Sequence, residues 1–227
     1  MKKILFMLTS HDELGSSGRK TGFWFDEVIS PYYRFIDAGY EVVMASPKGG
    51  PSPIDPDSEL LEDATQDTKR YFKDDKCKTA ILETLKLTDI KSCDYEALYY
   101  PGGYGPLFDL LHDPISLQLI SDFYAEKKII SAVCHGTGVF KDVRLPNGDF
   151  FIKGKKLTGF ADSEEAAINM TDLTPFLVEK ELTHQGAIYP KAGDWQEHVV
   201  IDNKLITEQN PASANLVANA VIRMLAI

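Results

Sequence analysis

The chain is expected to form one α/β domain over residues 1–227, a flavodoxin-like three-layer sandwich whose mostly parallel sheet carries helices on both faces. Three observations predict this. Short apolar runs without helical period alternate with amphipathic stretches, the pattern of a parallel sheet buried on both sides. One such run, Ile129-Ile130-Ser131-Ala132-Val133, passes straight into Cys134-His135-Gly136-Thr137-Gly138, which reads as a sharp strand-to-helix turn. The length, 227 residues, suits one domain with a core of its own.

Taken in order, residues 3–9 are an apolar run bounded by polar residues, a buried strand. Residues 24–38 carry apolar positions at helical spacing and stop at Gly39, a C-cap signal. Residues 41–45 form a second strand, and 47–56, rich in Pro and Gly, a loop. The charged stretch 63–78 predicts a surface excursion and then a helix reaching Leu87. A third strand over 95–100 ends at Pro101-Gly102-Gly103, a helix follows Pro114, and 128–133 is the fourth strand. A short helix follows Cys134; residues 156–160 read as another short strand and a helix begins near Ser163. Residues 198–201 and 204–207 predict a hairpin turning at Asp202-Asn203, and the last helix begins after Asn210-Pro211. In such sheets ligands bind at the carboxyl ends of the strands.

Composition narrows the function classes. Hydrophobic residues make up 44 % and charged residues 26 %, ordinary for a soluble globular protein. A formal charge of −10 argues against nucleic acid or an anionic membrane as partner. No apolar stretch is long enough to span a bilayer, and the opening run turns polar at Thr9-Ser10-His11-Asp12, too early for a signal peptide. The three cysteines, Cys77, Cys93 and Cys134, form no CxxC pair, which fits a reducing cytoplasm. Five histidines without HExxH or Cys/His clustering predict no metal, and the absence of a P-loop or a GxGxxG after a strand predicts no nucleotide cofactor.

Cys134 is the candidate nucleophile. Gly136 and Gly138 would let the backbone turn without a Cβ clash, and the positive end of the following helix would favour the thiolate. Cys77 and Cys93 stand in polar surroundings and read as ordinary.

The blocks Lys20-Thr21-Gly22-Phe23-Trp24-Phe25-Asp26-Glu27, Pro101-Gly102-Gly103-Tyr104-Gly105, Ala132 to Gly136, Gly159-Phe160-Ala161-Asp162-Ser163-Glu164-Glu165 and Asn210-Pro211-Ala212-Ser213 occur in that order along nearly the whole chain. Together they resemble the class I glutamine amidotransferase-like superfamily of PfpI-type peptidases and the parkinsonism-associated deglycase, most closely its glyoxalase III and heat-shock chaperone branch. The resemblance implies a set of partners for the sulfur. Glu27 would lie beside Cys134 and share a proton with it; read without the resemblance, it is a first-turn glutamate favoured by the helix dipole. The neighbouring acid, Asp26, is one residue out of register. His135 would pair with an orienting acid, which the alignment makes Glu165, with Asp162 as the rival that suits a helix N-cap. Backbone N–H groups at Gly102 and Gly103, with that of His135, would form an oxyanion hole. Tyr104 departs from the branch, whose members often carry His there; a phenol hydrogen-bonds but is no base at neutral pH. His11 would line the pocket mouth or sit in a solvated loop, Trp195 would lie near the pocket as in the branch or serve simply in packing, and His112, His184 and His198 read as surface residues.

The resemblance implies a cofactor-free glyoxalase acting on a small dicarbonyl, with deglycase chemistry by the same attack. An amidase or peptidase fits the same residues, and a holding chaperone or redox sensor is the third class. A glutaminase is disfavoured because its later His-x-Glu pair is missing. Family members are commonly homodimers, and the same is expected here.

Overall fold

The computed structural model describes residues 1–59 and 65–226. The start of the charged stretch, Asp63 and Ala64, lies outside them, as does Ile227. Seven strands build one sheet: β1 (Lys3–Met7), β2 (Glu41–Ser46), β3 (Leu85–Lys86), β4 (Ala97–Tyr100), β5 (Ile129–Val133), β6 (Val199–Asp202) and β7 (Leu205–Glu208). Their order is β3-β2-β1-β4-β5-β7-β6. Every neighbouring pair is parallel except β6–β7, the predicted hairpin. Asn203 takes its turn at φ 55°, the left-handed region that asparagine tolerates. The eight helices described are α1 (Phe25–Asp37), α2 (Pro56–Glu59), α3 (Gln66–Tyr71), α4 (Asp75–Leu82), α5 (Pro114–Ala125), α6 (Asp162–Ala167), α7 (Val178–His184) and α8 (Ala214–Leu225). None of them is long and apolar enough to cross a membrane.

Side-chain alternation along the strands sorts the core into two layers. Ile4, Phe6, Tyr99, Ile129, Val133 and Ile206 face one side, where α1 and α8 supply Val28, Ile29, Phe35, Val217 and Val221. Leu5, Met7, Leu98, Tyr100, Ile130 and Ala132 face the other, against Leu119, Ile120 and Phe123 of α5 and Phe140 and Leu182. Helix α1 ends as its sequence requires: Gly39 at φ 85° lets its own N–H bond Ile36 O and the Tyr40 N–H bond Phe35 O, while the Tyr40 ring meets Phe35.

Two expected elements differ. The helix predicted to run to Leu87 stops at Leu82; Thr84 and Gly50 then exchange backbone hydrogen bonds, which draws Leu85–Lys86 alongside β2 as an edge strand. Residues 156–160 form no strand: Lys156 makes one isolated bridge to Ile188, the Thr158 N–H bonds the Thr207 hydroxyl, and the Phe160 N–H bonds Cys134 O. Those donors are satisfied one at a time by separate partners, a strand side chain among them, so no ladder forms.

The order reverses between β1 and β4, since the chain leaves β1 for β2 on one side and returns to β4 on the other. A crevice opens at the strand carboxyl ends beside such a reversal. The segments leaving β1, β4 and β5 meet there.

Candidate active site

Strand β5 delivers Cys134 at a strained turn. Its φ is 55°, so the residue expected to bond chemically also takes the left-handed conformation, and neither Gly136 nor Gly138 does. Gly136 is needed for space: a Cβ there would stand 2.5 Å from Pro101 O. Residues Cys134–Phe140 form a 3₁₀ helix, and Thr137 Oγ1 donates to Cys134 O at 2.9 Å, holding the turn.

Cys134 Sγ lies 3.3 Å from His135 Nδ1, and His135 Nε2 lies 2.6 Å from Glu165 Oε2. Adjacent residues thus bring sulfur and imidazole together because the turn breaks strand alternation. Burial alone would raise the Glu165 carboxyl, but the His135 charge and the hydrogen bonds from His135 and Tyr104 outweigh it and hold it low. When His135 is neutral, an ionised Glu165 keeps its N–H on Nε2 and leaves the Nδ1 lone pair facing sulfur. The rival, Asp162, points elsewhere and accepts from the Lys180 N–H at 3.4 Å. Tyr104 donates its O–H to Glu165 Oε1 at 2.5 Å, with its ring 4.3 Å from that of His135. Burial and then the Glu165 charge push its phenol far up, so it stays a donor.

Glu27 reaches the same point from the first turn of α1. It is wholly buried, and Gly102 N–H donates to its Oε2 at 2.8 Å while Oε1 has no partner. The Gly102 donor expected to face an oxyanion is therefore occupied by a carboxyl. Gly102 has no room for a side chain: its Cβ would fall 2.6 Å from Glu27 Oε2 and 2.8 Å from Cys134 Cβ. Burial raises the Glu27 carboxyl to about 8, against the opposing pull of the Gly102 bond. Burial, then the Glu27 charge, push the Cys134 thiol well up, while the His135 backbone N–H works against them. The thiolate expected from a helix dipole is not what the buried sulfur favours; the short 3₁₀ segment does not offset desolvation.

Around this centre, Trp195 lies 47 % exposed with its ring 5.8 Å from Phe160, whose ring in turn lies tilted 4.4 Å from that of His135. His11 bonds Glu13 O through Nε2 and stacks on Phe108. His112 and His184 are exposed, but His198 is half-buried with Nε2 enclosed and unpartnered, so the surface reading fails for it. Cys77 likewise departs from the polar surroundings expected: α4 turns it onto the α1 layer, and burial raises its thiol to about 12. Cys93 is exposed. Asp26 bonds Ser30 rather than the sulfur.

Two carboxylates were not anticipated. Glu164 is fully buried and ties the site together, with Oε2 accepting from Ala161 N–H and Oε1 from Trp195 N–H and the Asn210 amide. Its sequence signal is a glutamate three residues past a helix N-cap, which reaches back to the cap N–H. Glu208, at the end of β7 and paired in register with Val133, is buried with neither carboxyl oxygen in a full hydrogen bond; burial, then the charge of Glu27, raise it well up against the weaker pull of the Val217 backbone N–H. A cleft of about 200 Å³ opens beside Tyr104, with Leu14, Arg19, Trp24 and Asp55 in its walls.

The DJ-1/PfpI family model matches residues 22–224. The chain is 30 % identical to the glutathione-independent glyoxalase HSP31 of Saccharomyces cerevisiae, over 96 % of this chain and 95 % of that protein. It superposes on the X-ray structure of Rapid Encystment Protein 24 kDa from Francisella tularensis with a TM-score of 0.94 and 37 % identity, each chain 99 % covered. On the crystal structure of glyoxalase III from Candida albicans the TM-score is 0.89 at 32 % identity, covering 98 % of this chain and 96 % of that one.

Proposed function

The chain belongs to the DJ-1/PfpI family, and from that premise we propose that it is a cofactor-free glyoxalase III-like enzyme, a lyase of the D-lactate dehydratase type, turning methylglyoxal into lactate. The observation that carries this is the relay from Cys134 Sγ to His135 Nδ1 at 3.3 Å and from His135 Nε2 to Glu165 at 2.6 Å, with the buried, protonated Glu27 alongside.

In this reading the Cys134 thiol gives its proton to His135 Nδ1 as sulfur bonds the aldehyde carbon. The resulting oxyanion takes a proton and a hemithioacetal results. His135 and Glu27 then move a proton from the former aldehyde carbon to the neighbouring ketone carbon through an enediol. The product is a lactoyl thioester on Cys134, and water cleaves it to lactate and free thiol. Gly103 and His135 supply the backbone donors for the oxyanion, since Gly102 is committed to Glu27. Tyr104 and Glu165 hold the imidazole in the required tautomer. Deglycation of sugar-derived adducts would begin with the same attack.

An amidase or peptidase would use the same thioester chemistry, but Cys134 is only 3 % exposed, and a small dicarbonyl reaches so enclosed a sulfur more readily than an extended chain. A holding chaperone would not need the relay at all. We place the enzyme in the cytoplasm as a homodimer, on the strength of the family resemblance. Light scattering tests the dimer: a mass near 25.3 kDa would overturn it.

The decisive assay incubates wild type and Cys134→Ser with methylglyoxal in the absence of glutathione and measures lactate. Lactate from the wild type alone is expected. Lactate from neither would move the assignment to acyl transfer or a chaperone, and lactate from both would remove Cys134 as nucleophile.

A further inference from the structure

A second cavity lies far from this chemistry. It occupies about 660 Å³ at the opposite end of the sheet, within the ~300–1,000 Å³ range of small-molecule sites. Ile130 near the start of β5 and Leu205 at the start of β7 contribute to it, and Cys134 follows the far end of β5, roughly 13 Å along the strand from Ile130. A substrate held at Cys134 does not reach it.

Its lining divides by chemistry. The floor is apolar, Ile130, Leu205 and Met224, with one exposed aromatic, Tyr124, whose ring packs edge to face on the fully buried Phe151 at 5.3 Å. The rim carries five lysines, Lys127, Lys128, Lys153, Lys155 and Lys204, on a chain whose net charge is −10. Lys128 pairs with Glu126 and Lys153 with Asp149. Lys127, Lys155 and Lys204 have no carboxylate within ion-pair distance among the described residues. The Lys155 ammonium instead sits over both rings, 4.8 Å from Tyr124 and 4.9 Å from Phe151. Asp202, the one carboxylate of the lining, is already engaged by the Lys156 N–H and the Asn203 amide, both at 2.8 Å.

Lys127 is a further sign. It occupies the left-handed position after the C-terminus of α5, at φ 56°, where its N–H bonds Tyr124 O and the next residue's N–H bonds Phe123 O. Glycine is the unstrained choice at that position. The chain keeps a lysine there, on the rim of the cavity.

An exposed tyrosine ring beside three ammonium groups without a carboxylate partner matches a flat ring joined to a group of two or more negative charges. We propose that this cavity binds a phosphorylated ring compound of the nucleoside diphosphate type. The ring would lie against the exposed Tyr124, and the phosphates would meet Lys127, Lys155 and Lys204. The inference does not depend on the glyoxalase reading, because neither the site nor its test uses Cys134.

The experiment is calorimetric titration of the full-length protein at low salt with three probes: ADP, inorganic pyrophosphate and adenosine. ADP is expected to bind with a dissociation constant below about 1 mM, and at least about tenfold more tightly than either fragment. Raising the salt should weaken ADP binding, as expected for charge recognition. The triple variant Lys127→Gln/Lys155→Gln/Lys204→Gln should lose at least about tenfold in ADP affinity while keeping its thermal midpoint and its turnover. A midpoint that drops would shift the test to Lys204→Gln alone, on an exposed turn, which should still weaken ADP. No ADP binding, pyrophosphate binding as tightly as ADP, or unchanged ADP affinity in the variants would each overturn the proposal.

Discussion

Each oxygen of the Glu165 carboxylate has one donor, His135 Nε2 on one side and the Tyr104 hydroxyl on the other. That division separates two substitutions. Glu165→Gln keeps the shape but removes the charge that selects the His135 tautomer, so kcat should fall by about 10²–10⁴ with KM little changed. Tyr104→Phe removes one hydrogen bond to a charged group and leaves the charge, and kcat should fall only about tenfold. Steady-state kinetics on methylglyoxal would distinguish them, and equal losses would contradict the assigned roles. The relay was legible in the sequence because Cys134, His135 and the block ending at Glu165 are each local patterns. Glu208 was not: at the end of β7 nothing in Thr207-Glu208-Gln209 signals that the carboxyl will be enclosed with its oxygens unpaired. Its burial is decided by β5 on one side, distant in sequence, and by the way α8 folds back over β7.

Elements were legible where capping chemistry and apolar period agree. Helix α5 begins where Asp113-Pro114 says it should, with Asp113 Oδ1 accepting from the N–H groups of Ile115 and Ser116 at 2.8 and 2.9 Å. Asp113→Ala should cost about 1 kcal/mol in urea unfolding. Because α5 packs on the sheet face behind β4 and β5 and supplies no group to the Cys134 centre, kcat should not change; a loss of activity without a loss of stability would show that α5 does more than support the sheet. The misread elements share a cause. The β3 edge strand is two residues long, and residues 156–160 carry a strand-like composition but meet only single, scattered partners. Both outcomes depend on which distant backbone stands opposite, and local pattern carries no information about that.

For the whole molecule, the crossing of three sheet-end segments at one reversal point concentrates ionisable groups in the dry interior. Glu27, Glu208, Tyr99 and Cys134 share one buried region, and burial raises all four. This arrangement costs stability. Glu27 releases its proton at about 8 in the folded protein and at the ordinary 4.5 when unfolded. Between those values the folded state binds the extra proton, so stability falls as pH rises through the window, and above about 8 the dependence ends. Glu27→Gln keeps an oxygen for the Gly102 N–H and has no proton to lose. Relative to wild type it should gain little at pH 4.5, about 3 kcal/mol at pH 7, and no more beyond pH 8, while lactate formation is lost. Glu208→Gln should show the same sign of pH dependence with activity retained, since Glu208 has no place in the relay. Denaturant unfolding at half-unit pH steps checks both variants. A stability difference between Glu27→Gln and wild type that stays constant from pH 4.5 to 8 would mean that the folded protein holds Glu27 ionised, and the protonated carboxyl beside Cys134 would have to be abandoned.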